Sequence, residues 1–159
     1  MTYRKVLGHW GEAHACRLLK SAKFTDIVPL NVGRQHPGGD VMAKKDGRVY
    51  FFSVKARDRF GQDRKPNPGY NIYPAKVIKA AANYGATPAW LVIRADRRDN
   101  TFCSYWGLID EIPAGKTNRN RVYVKMGDTD IAEYCRLGRC LASNVSDPTI
   151  AKVFRGKLY

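Results

Sequence analysis

The stretch GGDVMAKKDGRVYFFSVKAR, residues 38–57, limits what this chain can fold into more than any other. Its KKDG segment carries the Asp-Gly dipeptide of a tight type I′ turn, whose two central residues both need positive φ. Strands over 39–44 and 48–57 therefore fold back on one another as an antiparallel hairpin. In the second strand Val49, Phe51, Ser53 and Lys55 share one face, and Tyr50, Phe52, Val54 and Ala56 share the other. Both faces are largely apolar, which places the strand in the middle of a sheet covered on both sides. The hairpin also carries Asp40 and Lys55 to the same open end, away from the turn. A lysine at the end of a buried strand loses hydration unless it snorkels to water or an anion meets it. Asp40 is placed to be that anion.

Other elements assemble around the hairpin. Residues 11–22 read as a helix with Ala13, Cys16 and Leu19 on one face. Glu12 lies one turn before Cys16, beside that face, whereas an early helical carboxylate ordinarily sits in solvent near the N-terminus. A strand over 24–31 ends in the loop GRQHPGG. Residues 57–73 read as a long polar loop rich in cations, of a length that is usually functional or mobile. A helix follows, with Pro74 in its first turn, Val77, Ala81 and Tyr84 on one face and Gly85 at C′. Residues 89–94 and 102–108 read as strands around the turn DRRDN. Further on, 121–126 reads as an edge strand, and Asp130 with Glu133 as a capping box opening a short helix through Cys140. The final residues, SDPTIAKVFRGKLY, carry no clear signal.

The chain has 159 residues, 44% of them hydrophobic, enough for one domain with its own core and too apolar for a disordered chain. Its formal charge of +14, from 28 Lys and Arg against 14 Asp and Glu, exceeds what solubility requires and makes nucleic acid the first partner to consider. No basic amphipathic helix points to a membrane surface. The N-terminus lacks an apolar signal-like run, and the longest hydrophobic run, 89–93, is too short to span a bilayer, so the expected compartment is the cytoplasm. Cys16, Cys103, Cys135 and Cys140 form no C-x-x-C pair and are expected to be buried thiols, the last two in helix packing. His9, His14 and His36 share no metal-ligand spacing and are read as facing solvent or DNA, His36 as the one to meet phosphate. GHWG and HPGG read as turn glycines.

The succession of Glu-bearing helix, strand, Asp-bearing strand, Lys-bearing strand, helix and strand resembles the PD-(D/E)XK nuclease superfamily, most of all the archaeal Holliday junction resolvase-type endonucleases. The residues that carry the resemblance are YRKVLGHWGEAHACRLLKSAKF, GGDVMA, FFSVKAR and AKVIKAAANYGATPAWLVIR. The resemblance implies an α/β, restriction-endonuclease-like core: a mixed β-sheet flanked by helices in the order α-β-β-β-α-β-β. That core would span residues 1–112, with 113–159 a small C-terminal extension packed on it rather than an independent domain.

By motif, the resemblance assigns the helix acid to Glu12, the hairpin acid to Asp40 and the motif lysine to Lys55, with the Val54 carbonyl also meeting the metal. It implies Mg²⁺ or Mn²⁺ held by Asp40 and Glu12, because phosphodiester hydrolysis uses a hard, oxygen-ligated cation. Lys55 would orient the attacking water or stabilise developing charge. The pattern departs at Ser53, which stands where the family usually has an acid or glutamine; a hydroxyl leaves the ligand set poorer by one charge. Three explanations compete: Glu12 supplies the missing carboxylate, substrate phosphate completes the shell, or the site is degenerate and the fold survives as a DNA- or RNA-binding module. Arg34, His36, Arg57, Arg59, Arg64 and Lys65 flank the site as candidate phosphate contacts. The function expected is a metal-dependent endodeoxyribonuclease on double-stranded or branched DNA, and the resemblance also implies a homodimer.

Overall fold

The computed structural model describes residues 2–31, 36, 38–112 and 121–156. Among these residues four α-helices, α1 (Tyr3–Ser21), α2 (Pro74–Ala82), α3 (Asp128–Arg136) and α4 (Ile150–Phe154), surround eight strands. The strands are β1 (Thr25–Pro29), β2 (Val41–Lys45), β3 (Arg48–Asp58), β4 (Gly69–Ile72), β5 (Thr87–Asp96), β6 (Thr101–Leu108), β7 (Val122–Lys125) and β8 (Cys140–Ser146). Six form the main sheet in the order β1-β2-β3-β5-β6-β8, while β4 and β7 pair in a small second sheet. Among the described residues only β3 and β5 run parallel, and every other strand pairing is antiparallel. This is the mixed sheet flanked by helices that the sequence leads one to expect.

The hairpin forms as its turn chemistry dictates: Lys45 pairs with Arg48, and Asp46 and Gly47 take φ of 51° and 77°. β3 lies between β2 and β5, with Phe51 and Phe52 both fully buried on opposite faces. On the Phe52 side, α1 and α4 cover Val41, Val54, Leu91 and Ile93. On the Phe51 side, Val77 of α2, Ile131 of α3 and the β4–β7 ribbon cover Trp90, Val92 and Tyr105. Gly85 adopts φ 59° just beyond α2, as a helix-ending glycine should.

Several expectations require correction. α1 begins at Tyr3, not at residue 11, and its buried stripe runs through Val6, Trp10, Ala15 and Leu19. Ala13 and Cys16 are only half-buried at its margin. Residues 57–73 are not one loop: β3 continues to Asp58, and Gly69–Ile72 forms β4. The strand read over 121–126 forms as β7, Val122–Lys125, and its partner is β4 in the two-stranded sheet. α3 is capped from Gly127, whose N–H donates to Asp130 Oδ2 at 3.0 Å, and it ends at Arg136, so Cys140 opens β8. Cys135 is exposed rather than buried. The closing residues form α4. On the α2 face Ala80 joins Val77 and Ala81, whereas Tyr84 stands 45% exposed. No helix among the described residues is long and apolar enough to cross a membrane.

α1 and α4 are joined by a polar network. Trp10 Nε1 donates to Thr149 Oγ1 at 3.1 Å, and His14 Nε2 bonds Asp147 Oδ2 at 2.7 Å. His14 also packs against Trp10 and Phe102, so it faces the interior rather than solvent or DNA. Burial pushes His14 below its ordinary value, helped by Arg17 and opposed by Asp147. Burial alone would raise Asp147, but bonds from Thr149 and His14 outweigh it and hold the carboxyl below its ordinary value. The unfolded chain thus binds a proton at His14 before the folded one does, and stability falls as pH drops below the ordinary histidine value. Asp147 adds a further loss at lower pH, through its own depressed range. The melting temperature should fall between about pH 7.5 and about pH 5.5, and His14→Gln should flatten that fall; an equal fall in the variant would assign the pH dependence elsewhere.

Candidate active site

The site lies where β2 stops pairing with β3. Register ends at Val41, opposite Phe52, and Asp40 sits just outside the ladder. Its backbone is fixed on both sides: the N–H donates to Phe52 O and the C=O accepts from Leu30 N–H, each at 2.9 Å. Beside it a Cβ on Gly39 would collide with the Phe51 ring, so glycine lets the chain pass close over that ring.

Each oxygen of the Asp40 carboxylate has a partner. Oδ2 accepts the Val54 N–H at 2.7 Å, in place of a ladder carbonyl, and Oδ1 accepts from Asn31 Nδ2 at 2.7 Å. The same Asn31 nitrogen donates to Glu12 Oε1 at 3.1 Å. A backbone N–H can only donate, so the His36 N–H, 2.6 Å from Asn31 Oδ1, fixes which way the carboxamide points. Asn31 thereby joins the helix acid to the hairpin acid.

Glu12 reaches this point because α1 crosses close over the end of β3. A Cβ on Gly11 would lie 2.7 Å from Ala56 Cβ, so only glycine permits that approach. Burial, then the neighbouring Asp40 charge, raises the Glu12 carboxyl above its ordinary value, against opposing pulls from Asn31, His9 and Lys55. Lys55 is half-buried and lines, with Asp40 and Ser53, a cleft of 820 Å³ beneath α2. Among the described residues it makes no ion pair within 4.0 Å. It therefore combines both escapes open to a strand-end lysine, partial exposure and nearby carboxylates.

The donor set decides whether a divalent cation fits. Among the described residues no three His, Cys, Asp or Glu side chains cluster. Asp40 and Glu12 nonetheless present hard oxygen ligands that bond one shared nitrogen. Val54 points its N–H toward Asp40, and a strand residue directs its carbonyl to the same side. Mg²⁺ is often held by one or two carboxylates, with waters and substrate phosphate supplying the remainder. The residues fit that mode, and the nearly buried Ser53 adds no charge to it.

The flanking candidates divide. His36 lines the cleft and its Nε2 lies 2.8 Å from Tyr84 Oη. Arg57 turns inward to bond the Gly69 carbonyl, and Arg59 is tied to Asp96 at 3.2 Å and Asp128 at 2.9 Å. Arg64 and Lys65 are exposed, and Arg34 lies outside the described residues. Asn31 was missed by sequence reasoning, as were Lys76 and Lys79, which line the cleft from α2. The lysines had a signal, since residues 64–95 contain no acid, but Asn31 had none.

No protein-family model matches the sequence, and no curated protein matches it. Among solved structures, the fold is similar to that of Hjc, a Holliday junction resolvase from the archaeal hyperthermophile Archaeoglobus fulgidus. The two chains are 12% identical, the match covers 79% of this chain and 92% of that one, and the TM-score is 0.50. The fold of this chain is restriction-endonuclease-like, a fold it shares with a nuclease.

Proposed function

We propose that this chain is a metal-dependent endodeoxyribonuclease acting on branched or otherwise structured DNA. The observation that carries the reading is the junction at Asn31, where an acid from α1 and an acid from the β2–β3 hairpin bond one nitrogen beside a cleft that also holds Lys55. Asp40, Glu12 and the Val54 carbonyl would hold Mg²⁺ or Mn²⁺, which supplies positive charge against the phosphate oxygens. Lys55 donates from the cleft wall to the water that attacks phosphorus, or to a non-bridging oxygen as negative charge grows there. Ser53 contributes a neutral hydroxyl to the same wall. Arg64 and Lys65, together with Lys76 and Lys79, meet backbone phosphates, which positions DNA without reading its bases. A homodimer would present two such sites for cutting paired strands. The proposed compartment is the cytoplasm.

A second reading is favoured by Ser53 and by the two-carboxylate ligand set: a nuclease fold that binds DNA or RNA without cutting it. One assay separates the two. Supercoiled plasmid, blunt duplex, four-way junction and matching RNA are incubated with the protein in Mg²⁺, Mn²⁺ or EDTA. Cutting of DNA that requires the metal and is fastest on the junction is the expected result. Retention of every substrate intact, with binding preserved, would establish the non-catalytic module. If about six phosphates are neutralised, the log-log salt slope of duplex binding should approach about −5.

A further inference from the structure

We infer that the α2 wall of the cleft is the path of an unpaired nucleic-acid strand, so that the substrate carries a single-stranded segment of about three or four nucleotides beside the scissile phosphate. The inference rests on the nuclease reading only for where the cut falls; the strand path itself follows from charge and shape.

The wall is built from one short helix. α2 presents Lys76 and Lys79 to the cleft. They are one turn apart, with Cβ atoms about 5–6 Å from each other, a spacing that suits consecutive phosphates of one strand. Both are exposed, and neither makes an ion pair among the described residues. No acid occurs between Asp63 and Asp96, so α2 supplies none to offset them.

At either end of this lysine pair stands an exposed aromatic ring. Tyr73, before α2, is 38% exposed and Tyr84, after it, 45%. Tyr84 is held in place: one face stacks on the buried Phe51 at 5.7 Å and 23°, and its hydroxyl lies 2.8 Å from His36 Nε2. A fixed ring with an open side costs little ordering on binding, which is what a base-stacking platform needs. Lys76 Nζ sits 5.3 Å from the Tyr73 ring centre, so cation and ring form one surface. Nine helical residues at about 1.5 Å each set the backbone positions that carry the two rings roughly 15 Å apart.

Beyond Tyr73 the path continues. A second cleft of 710 Å³ shares Lys55 and Tyr73 with the first; its wall carries Gln62 and Asn67, and the same lining holds two acids, Asp63 and Asp58, the latter paired with Arg97, beside the cations Arg4 and Arg57. Lys55 thus stands at the join of two clefts, and a strand lying through both would pass the proposed reaction centre. Paired bases keep their faces stacked within the duplex and offer nothing to Tyr73 or Tyr84. An unpaired strand offers base faces and phosphates together.

The test is fluorescence anisotropy on the full chain in EDTA, where binding is read without cleavage. The probes are a blunt duplex, the same duplex with a four-thymidine tail, and the corresponding RNA tail. Tyr73→Ala and Tyr84→Ala should each weaken tailed-duplex binding by about tenfold and leave the blunt duplex within about twofold. Tyr73→Phe and Tyr84→Phe should restore it, which separates stacking from a folding defect. Lys76→Gln with Lys79→Gln should flatten the tailed-duplex salt slope by about 1.4. A preference for the DNA or the RNA tail supports the path and identifies the sugar. Tailed-duplex binding that is unchanged by Tyr→Ala, or a loss shared equally by blunt and tailed probes, overturns it. Tyrosine-dependent binding without metal-dependent cleavage would refute the nuclease and leave the strand path standing; cleavage without tyrosine dependence would do the reverse.

Discussion

Asp40→Asn is expected to slow metal-dependent DNA cleavage by about 10³-fold or more, the loss of roughly 4 kcal/mol of charge stabilisation at 1.36 kcal/mol per tenfold. The carboxylate oxygens accept from Val54 N–H and Asn31 Nδ2. An asparagine keeps one oxygen for Val54 but turns a second amide NH₂ toward that of Asn31. The resulting donor–donor meeting costs about 1–3 kcal/mol, so the melting temperature should drop by only several degrees. Losing the Asp40 charge also lets the Glu12 carboxyl fall back toward its ordinary value, since that charge helps to raise it. Single-turnover plasmid nicking in Mn²⁺ beside a circular-dichroism melt measures both effects. Cleavage near the wild-type rate would remove Asp40 from the chemistry. Asn31→Ala belongs in the same series: Glu12 then loses the hydrogen bond that ties it to Asp40, and activity should drop about 10–100-fold, as for partners that orient ligands.

Trp10→Ala should destabilise the fold by about 3–5 kcal/mol, a large share of the roughly 5–15 kcal/mol that holds most domains together. Trp10 is fully buried, meets Phe102 edge-on at 5.7 Å and donates its indole N–H to Thr149. Removing it opens a cavity between α1 and the sheet and breaks the tie to α4. Trp10→Phe keeps much of the bulk and should lose less. Thr149→Val leaves the indole N–H buried without an acceptor and should cost about 1–3 kcal/mol. Urea unfolding followed by circular dichroism provides the comparison. A loss under about 1 kcal/mol for Trp10→Ala would mean that the site collapses around the gap. Because Glu12 follows Trp10 by two residues on α1, the core and the cleft should fail together on heating.

The elements legible in the sequence were those whose signal is local. Asp46-Gly47 announces its own turn, and once the hairpin is placed, its antiparallel pairing carries Asp40 and Lys55 to the same open end. α2 was equally plain, with Pro74 before its apolar stripe and Gly85 after it. The start of α1 was hidden because Gly8 and Gly11 weaken helix propensity by about 1 kcal/mol each, and tertiary packing overrides that cost. β4 is four residues long and opens at Gly69 inside a polar, cation-rich stretch, so it carries no pattern long enough to read; β7 was read as a strand, but nothing local to 121–126 names β4 as its partner. Asn31 could not be found, since its role depends on a backbone N–H from His36 and on a helix residue meeting a hairpin residue in space. Arg57 and Arg59 looked like free cations for a similar reason: the partners that draw them inward, Gly69, Asp96 and Asp128, lie well along the chain.

The last helix lies against the first, and the last strand forms the edge of the main sheet opposite β1. β8 completes the sheet beside β6, Phe154 packs on Tyr3 with ring centres 5.7 Å apart, and the Trp10–Thr149 bond spans 139 positions of sequence. During synthesis β6 therefore keeps a bare edge, and α1 an uncovered flank, until residues 140–154 have left the ribosome. Such closure makes folding a late, high-contact-order event, and a nascent chain stalled before β8 should be a client for chaperones and a seed for edge-to-edge aggregation.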